Sequence, residues 1–300
     1  MTDTESPQLL DSNPALRLFV IMACHNRKSL TLSALKRSYQ NARSSGLEVH
    51  LTLFDDGSSD GTADAATKIF PDLEIISGSG TAYWAKSMSI AESHVLSLPT
   101  LRETDYIVWI NDDVRLDQDA FQRMKPILTS FPRAVVTGAV RDPATDSITY
   151  SGYKKYGWHP LHFGKVDPET YPSSIDTFNG NIVFVPVTVA RKLGGIDGEF
   201  SHAWADIDYG FRCKISNIPM ILAPNTFGTC SQNPLVTTTI MKEWRTFIGP
   251  KGGGHFWSLY RLLSRHSPIA WFPLMGATYV LWWIRKLSSR IQRRYISKQY

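Results

Sequence analysis

The sequence predicts an α/β fold built on a mostly parallel central sheet flanked by helices. Three observations lead there. Residues 18–23 (LFVIMA), 49–54 (VHLTLF) and 106–110 (YIVWI) are short apolar runs, the mark of strands buried on both faces. Segments with helical spacing separate them, as right-handed crossovers require. Two of the runs stop abruptly at Asp55-Asp56-Gly57-Ser58 and Asn111-Asp112-Asp113, where turn chemistry takes over.

The elements follow in order. Cys24-His25-Asn26-Arg27 is the loop after the first strand. Ser29 or Thr31 caps a helix that carries Leu32, Leu35 and Tyr39 on one face and stops near Gly46. A helix over 63–70 follows the second strand, 73–76 is a third strand, and Gly78-Ser79-Gly80 leads into a helix over 83–96. From 135 to 171 the pattern loosens, with Gly, Pro, Tyr, Trp and His frequent. Residues 181–186 restore a strand, 205–216 read as a helix, and 220–223 as a last short strand. Residues 231–267 are polar and basic, whereas 268–284 (PIAWFPLMGATYVLWWI) are almost wholly apolar.

Composition narrows the class. The chain has 300 residues, 43% hydrophobic and 12% aromatic, enough for a full core, which argues against global disorder and a disulfide-stapled miniprotein. Cys24, Cys213 and Cys230 are far apart with no metal or CxxC spacing, and read as reduced, buried thiols of a cytoplasmic protein. Residues 1–15 read as a flexible polar tail rather than a secretory signal, 16–234 as the α/β domain, and 235–300 as a C-terminal helical appendage. The net charge of +5 is concentrated in Arg285, Lys286, Arg290, Arg293, Arg294 and Lys298, a run no acid interrupts. The apolar stretch before it is borderline for a span, which needs about 20 residues. Its tryptophans and basic flank suit peripheral contact with the inner face of the cytoplasmic membrane. The competing reading is a helix packed on its own domain or on a second subunit, as in a homodimer. Nucleic acid is a poor partner for it, since no binding fold accompanies the basic run.

The placement of acids carries the chemistry. Ligands of an open parallel sheet bind beyond the carboxyl ends of its strands. Asp55-Asp56 and Asn111-Asp112-Asp113 both end strands and so share that edge. Crowded carboxylates repel unless a cation lies among them, and Mg²⁺ or Mn²⁺ with diphosphate oxygens suits such a site. Either cluster alone reads equally well as a turn or a helix cap. Gly180 in Phe178-Asn179-Gly180-Asn181 permits close backbone approach to a ligand. Trp84 and Trp204 offer flat faces to a sugar ring or else fill the core. Lys86 could meet a phosphate or be solvated. Asp208 stands four before Arg212, an ordinary helical ion pair, or helps hold the loop that carries Asp206.

The series ACHNR, FDDGSSDGT, WINDDV, FNGN and WADIDYGFR resembles family 2 glycosyltransferases of the GT-A fold over roughly residues 16–234, nearest to bacterial enzymes of surface-polysaccharide and rhamnan-type assembly, a rhamnosyltransferase-like subgroup. The resemblance implies a Rossmann-like sheet and a nucleoside-diphosphate sugar donor, UDP- or dTDP-linked. It assigns Asp55 and Asp56 to the nucleotide, with Ala23, His25, Asn26 and Arg27 lining the same place. Asp113 is then the metal ligand, with Asp112 beside the ribose or metal. Asn179 and Gly180 border the donor sugar. Asp206 matches the general base of an inverting transfer to a glycan or lipid-linked acceptor. A carboxylate with an ordinary pKa of about 4 is ionised and ready at neutral pH. The sequence departs from the family at Asn111, which replaces the first acid of Asp-x-Asp, and at Ala205, where relatives carry Glu; no downstream histidine ligand matches. A sugar-nucleotide pyrophosphorylase is the alternative enzyme, but CHNRKSL is not its Gly-rich phosphate loop. A non-catalytic sugar-nucleotide-binding protein is the other alternative.

Overall fold

A computed structural model describes residues 16–231 and 238–296, so the expected tail and the expected boundary at 234/235 lie outside the described residues. The first half alternates regularly: β1 (Arg17–Cys24), α1 (Lys28–Ser44), β2 (Glu48–Asp55), α2 (Thr62–Ile69), β3 (Glu74–Ser77), α3 (Tyr83–Ser97) and β4 (Tyr106–Ile110). Strands β3, β2, β1 and β4 lie side by side in that order, all parallel. Along β1 the side chains alternate between two cores: Phe19 and Ile21 face one, Leu18, Val20 and Met22 the other. Both sheet faces are covered, which is why this strand reads as an unbroken apolar run.

The second half extends the sheet and reverses one strand. It comprises β5 (Arg115–Leu116), α4 (Ala120–Ser130), β6 (Val135–Arg141), β7 (Ile148–Tyr150), β8 (Gly152–Lys155), β9 (Phe163–Lys165), β10 (Ser173–Ser174), β11 (Thr177–Phe178), β12 (Ile182–Pro186), α5 (Val187–Leu193), α6 (Ala205–Ile215) and β13 (Met220–Thr229). β12 lies between β4 and β6, antiparallel to both, while β6 and β13 run parallel. The reversal has a positional consequence. β12 begins where β4 ends, with Ile182 opposite Ile110 and the Asn111 amide donating to the Asn181 carbonyl at 3.2 Å. Asn179-Gly180 is thereby set beside Asn111-Asp112-Asp113.

Three helices complete the described chain: α7 (Ile240–Ile248), α8 (Phe256–His266) and α9 (Trp271–Ile296). The mixed α/β architecture with a mostly parallel central sheet and a C-terminal helix agrees with the expected fold class. Several details differ from expectation. The loosened region contains β6 and three strands of three or four residues, β7–β9, too short to show a period. β13 runs ten residues rather than four, carried past Pro224 and Asn225 by register shifts at Leu222/Thr226 and Thr226/Gly228. α4 contains Pro126, and the helical appendage expected from 235 onward breaks into α7, α8 and α9. α9 starts after Pro268 and keeps Pro273 in its first turn, where a missing N–H costs little.

Candidate active site

Two loops at the carboxyl edge are tied together by short polar contacts. The Asn26 backbone takes a left-handed φ of +52°, and its side-chain oxygen accepts from the Ser59 amide at 2.8 Å. The His25 ring donates from Nδ1 to the Asp56 carbonyl at 2.6 Å, leaving Nε2 to accept from Asn26. The Asp55 carboxylate accepts from the Ser58 amide and closes the turn. The Asp56 carboxylate accepts from the amides of Gly80, Ala82 and Tyr83, so it fixes the start of α3.

At the end of β4 the three residues divide their work. Asn111 Oδ1 accepts from Trp84 Nε1 at 2.7 Å, and its Nδ2 donates to Asn181 Oδ1 at 2.6 Å. Asn181 Nδ2 in turn donates to Asn179 Oδ1. Asn111 is therefore committed to holding Trp84 and the start of β12. Asp112 is buried and Asp113 partly open, and one guanidinium nitrogen of Arg27 lies 3.0 Å from the first and 3.1 Å from the second. Burial pushes the Asp112 carboxyl up to about 6 even though Arg27 pulls it down. Cys230 points its thiol at Asp113, and desolvation raises it to about 12, so it stays protonated.

The opposite wall carries Asp206, in the first turn of α6. Its two carboxylate oxygens accept separately, from the Gly180 amide at 3.0 Å and the Ile207 amide at 2.8 Å. Desolvation nevertheless pushes its pKa up to about 6, well above the ordinary value assumed from sequence. Gly180 is needed for the close approach: a Cβ there would lie 2.7 Å from Trp84 Cζ2. Trp204 precedes α6 with a left-handed φ of +81°, a conformation that costs a non-glycine residue on the order of 1–3 kcal/mol. Its indole N–H donates to the Gly253 carbonyl at 2.8 Å, which holds the turn.

These residues enclose one cavity of about 790 Å³. Its lining includes Ala23, His25, Arg27, Asp56, Trp84, Asp112, Asp113, Asn179, Gly180, Trp204 and Asp206, all expected from the sequence. Four expected residues are not on its wall. Asn26 and Asp55 turn their side chains into the loop contacts above. Lys86 is exposed on α3 outside the cavity. Asp208 is not acceptor- or sugar-facing: it is fully buried behind α6, bonded to Arg212 (2.8 Å), Arg265 (2.7 Å) and His266 (2.8 Å). The holding role is the one its geometry fits.

The cavity also uses residues the sequence reading passed over. Tyr150, Tyr153 and Phe163 come from the loosened region, whose aromatic content was the available signal. Lys251 and Gly253 come from the Gly-rich segment before α8. His202 lies four residues before Asp206, and its pKa is lowered by desolvation and by the nearby charges of Lys251 and Arg27. Among the described residues, no three His, Cys, Asp or Glu side chains are grouped as a ready-made metal site.

A family model described as glycosyl transferase family 2 matches residues 19–186. No curated protein sequence matches the chain. Among solved structures, S. aureus TarS 1-349 superposes with a TM-score of 0.52 at 9% identity, over 72% of this chain and 60% of that one. The mannosyltransferase PcManGT from Pyrobaculum calidifontis, solved with GDP-Man and Mn²⁺, gives 0.55 at 16% identity over 89% and 70%. GalNAc-T7, solved with UDP, GalNAc and Mn²⁺, gives 0.59 at 11% identity over 84% and 48%. At these identities the likeness is one of fold, and the chain spans about 60% of the TarS length it is matched to.

Proposed function

The chain belongs to glycosyl transferase family 2, and from that premise we propose that it transfers a sugar from a nucleoside-diphosphate sugar to a hydroxyl of a glycan or lipid-linked acceptor, inverting the anomeric configuration. The observation that carries this reading is the pairing of Asp206 on one wall of the cavity with Asp112, Asp113 and Arg27 on another. The cavity's volume, about 790 Å³, lies within the ordinary range for small-molecule sites.

Asp206 is the general base. Held by two backbone amides, it takes the proton from the acceptor hydroxyl as that oxygen bonds to the anomeric carbon and the nucleoside diphosphate departs. Direct displacement by the acceptor inverts the configuration. Its raised pKa makes it a stronger base than an exposed aspartate while leaving it ionised at neutral pH. Trp84 and Trp204 bound the sugar, and His25 and Asp56 border the nucleotide.

Asp112 and Asp113 fit a divalent cation. Mg²⁺ is commonly held by one or two carboxylates with diphosphate oxygens completing its shell, and adjacent carboxylates opening on the cavity meet that demand. When bound there, Mg²⁺ or Mn²⁺ supplies charge stabilisation to the departing diphosphate. Arg27, which bridges the two carboxylates, is placed to turn toward the diphosphate once its own partners are engaged.

The resemblance of ACHNR, FDDGSSDGT, WINDDV, FNGN and WADIDYGFR to rhamnan-assembly enzymes is the ground for proposing a bacterial surface-polysaccharide role and a rhamnosyl-type donor. The test is a donor screen by nucleoside-diphosphate release, covering UDP-, dTDP- and GDP-linked sugars with and without Mn²⁺ or Mg²⁺. Release with one donor class and loss in Asp206→Asn are expected. Failure of every nucleotide sugar to bind sinks the reading, and binding without turnover under all conditions favours a non-catalytic binder.

A further inference from the structure

The charges of this chain are segregated. Residues 244–300 contain ten Lys and Arg and no Asp or Glu, leaving 22 Lys and Arg against all 27 Asp and Glu in the preceding part. The basic segment also exposes aromatic and aliphatic surface. Phe256, Trp257 and Tyr260 on α8 form a continuous run of touching rings with Trp271 and Phe272 at the start of α9, with centroid separations of 5.0–6.3 Å. Trp257 is 66% exposed, Phe272 70%, and Ile269 between the two helices 99%.

α9 continues the same surface. One side packs Leu274 and Met275 against Leu259 and Leu263 of α8. The solvent side presents Phe272, Val280, Leu281, Ile284 and Leu287, all exposed. A helix apolar on both sides has not met its partner within the described fold. No helix among the described residues is long and apolar enough to cross a membrane, so the helix is suited to lie on a surface rather than span.

We propose that this face, from Trp257 and Ile269 along the outer side of α9, docks on an anionic lipid surface, with the aromatics at headgroup depth and the basic side chains on the anionic headgroups. Aromatic rings beside Lys and Arg are the side-chain set that favours the bilayer interface. Charge decides against the rival occupant. Asp197, Asp208 and Glu243 match Arg261, Arg265, Lys286 and Arg290, but Arg245, Lys251 and Arg285 form no ion pair among the described residues, so a second copy docked face to face would set like charges together, whereas anionic lipid neutralises them. Lys286 and Arg290 share Glu243, but Arg285 beside them is exposed and unmatched by any acid on its own segment. The patch also adjoins the cavity: Lys251 and Gly253 line it, and Phe256 follows directly after His255, the cap of α8. Docking would bring the cavity rim near the lipid surface.

Vesicle flotation of the full chain tests this without nucleotide or acceptor, so it stands or falls apart from the transfer chemistry. The probes are phosphatidylcholine vesicles alone and vesicles with about 30 mol% phosphatidylglycerol. Binding to the second and not the first is expected, weakened strongly at roughly 0.5 M salt. Ile269→Asp, at a site with no packing to lose, and the pair Trp257→Ala with Phe272→Ala should each lower the partition about tenfold with unchanged thermal unfolding. Equal flotation on both vesicles, none on either, or variants that bind like the parent overturns the proposal. So does a dimeric mass by light scattering that Ile269→Asp reduces to the monomer.

Discussion

Asp206 shows how far a residue's identity and its behaviour can separate. Sequence placed a carboxylate at the head of a helix and assumed an ordinary pKa; the fold packs it into a cavity wall whose desolvation raises it to about 6. A base must be ionised to act, so kcat/KM should climb as pH rises through about 6 and level above it. Asp112 is raised to a similar value, so the pH profile of Asp112→Asn, on its residual rate, separates the two: the limb persists if it belongs to Asp206. Asp206→Asn should lower kcat by about 10²–10⁴-fold with donor affinity nearly unchanged, read by steady-state kinetics and donor titration. Arg27 carries the second prediction at this scale. Its guanidinium occupies the space between Asp112 and Asp113, so Arg27→Gln should tighten Mn²⁺ binding to the nucleotide-free protein, measured by electron paramagnetic resonance titration. An unchanged or weaker Mn²⁺ affinity contradicts this. Sequence located both carboxylates and set Arg27 beside the nucleotide with Asp55 and Asp56, but its contact with Asp112 across 85 residues leaves no local pattern to read.

At the scale of elements, what sequence reading found and what it missed divide by length and by burial. β1, β2 and β4 were legible because both faces are buried and the runs are long. β7 to β11 were not, since two to four residues carry no period, and the register of β10 and β11 is set by β13 and β8, remote in sequence. α8 falls within the expected helical appendage, but its docking was hidden, because the partners of its arginines, Asp197 and Asp208, lie more than fifty residues earlier. Those contacts make Asp208 a junction between α6 and α8. Burial alone would raise its pKa; the hydrogen bond from His266 and the charges of Arg212 and Arg265 hold it below the ordinary value. Its contribution to stability is therefore present above about pH 4 and declines as pH falls through the lowered folded-state value. Asp208→Ala takes away the acceptor that Arg212, Arg265 and His266 share and should cost about 1.5–3 kcal/mol in urea unfolding. The junction of β12 with α3 is tested by Gly180→Ala. The added methyl meets Trp84 and should displace it from Asn111, lowering kcat/KM by at least about tenfold while the fold survives. Wild-type kinetics in that variant would mean the indole can move freely.

For the molecule as a whole, the sheet order 3-2-1-4 followed by the reversed β12 brings loops from both halves to one edge. A ligand filling the cavity therefore bridges elements from residue 23 to residue 253. Any nucleotide that binds the folded state alone stabilises all of it: about 2.7 kcal/mol at a hundredfold excess over Kd. We expect one cooperative thermal transition, shifted upward by the cognate nucleoside diphosphate and by no unrelated one. Two separate transitions, with only one shifted, would show that the C-terminal helices unfold independently of the cavity.

That connectivity bears on how the chain can be recombined with its relatives. All four partners of the Asp208 junction and of its neighbour Asp197, namely Arg212, Arg261, Arg265 and His266, lie beyond residue 186, where the family match ends. A chimera joined at 234/235, the seam that composition suggests, parts Asp208 from Arg265 and His266 and inherits an orphaned buried charge. One joined at 186/187 carries the base, its supporting ion pairs and the aromatic face together as a single transplantable block.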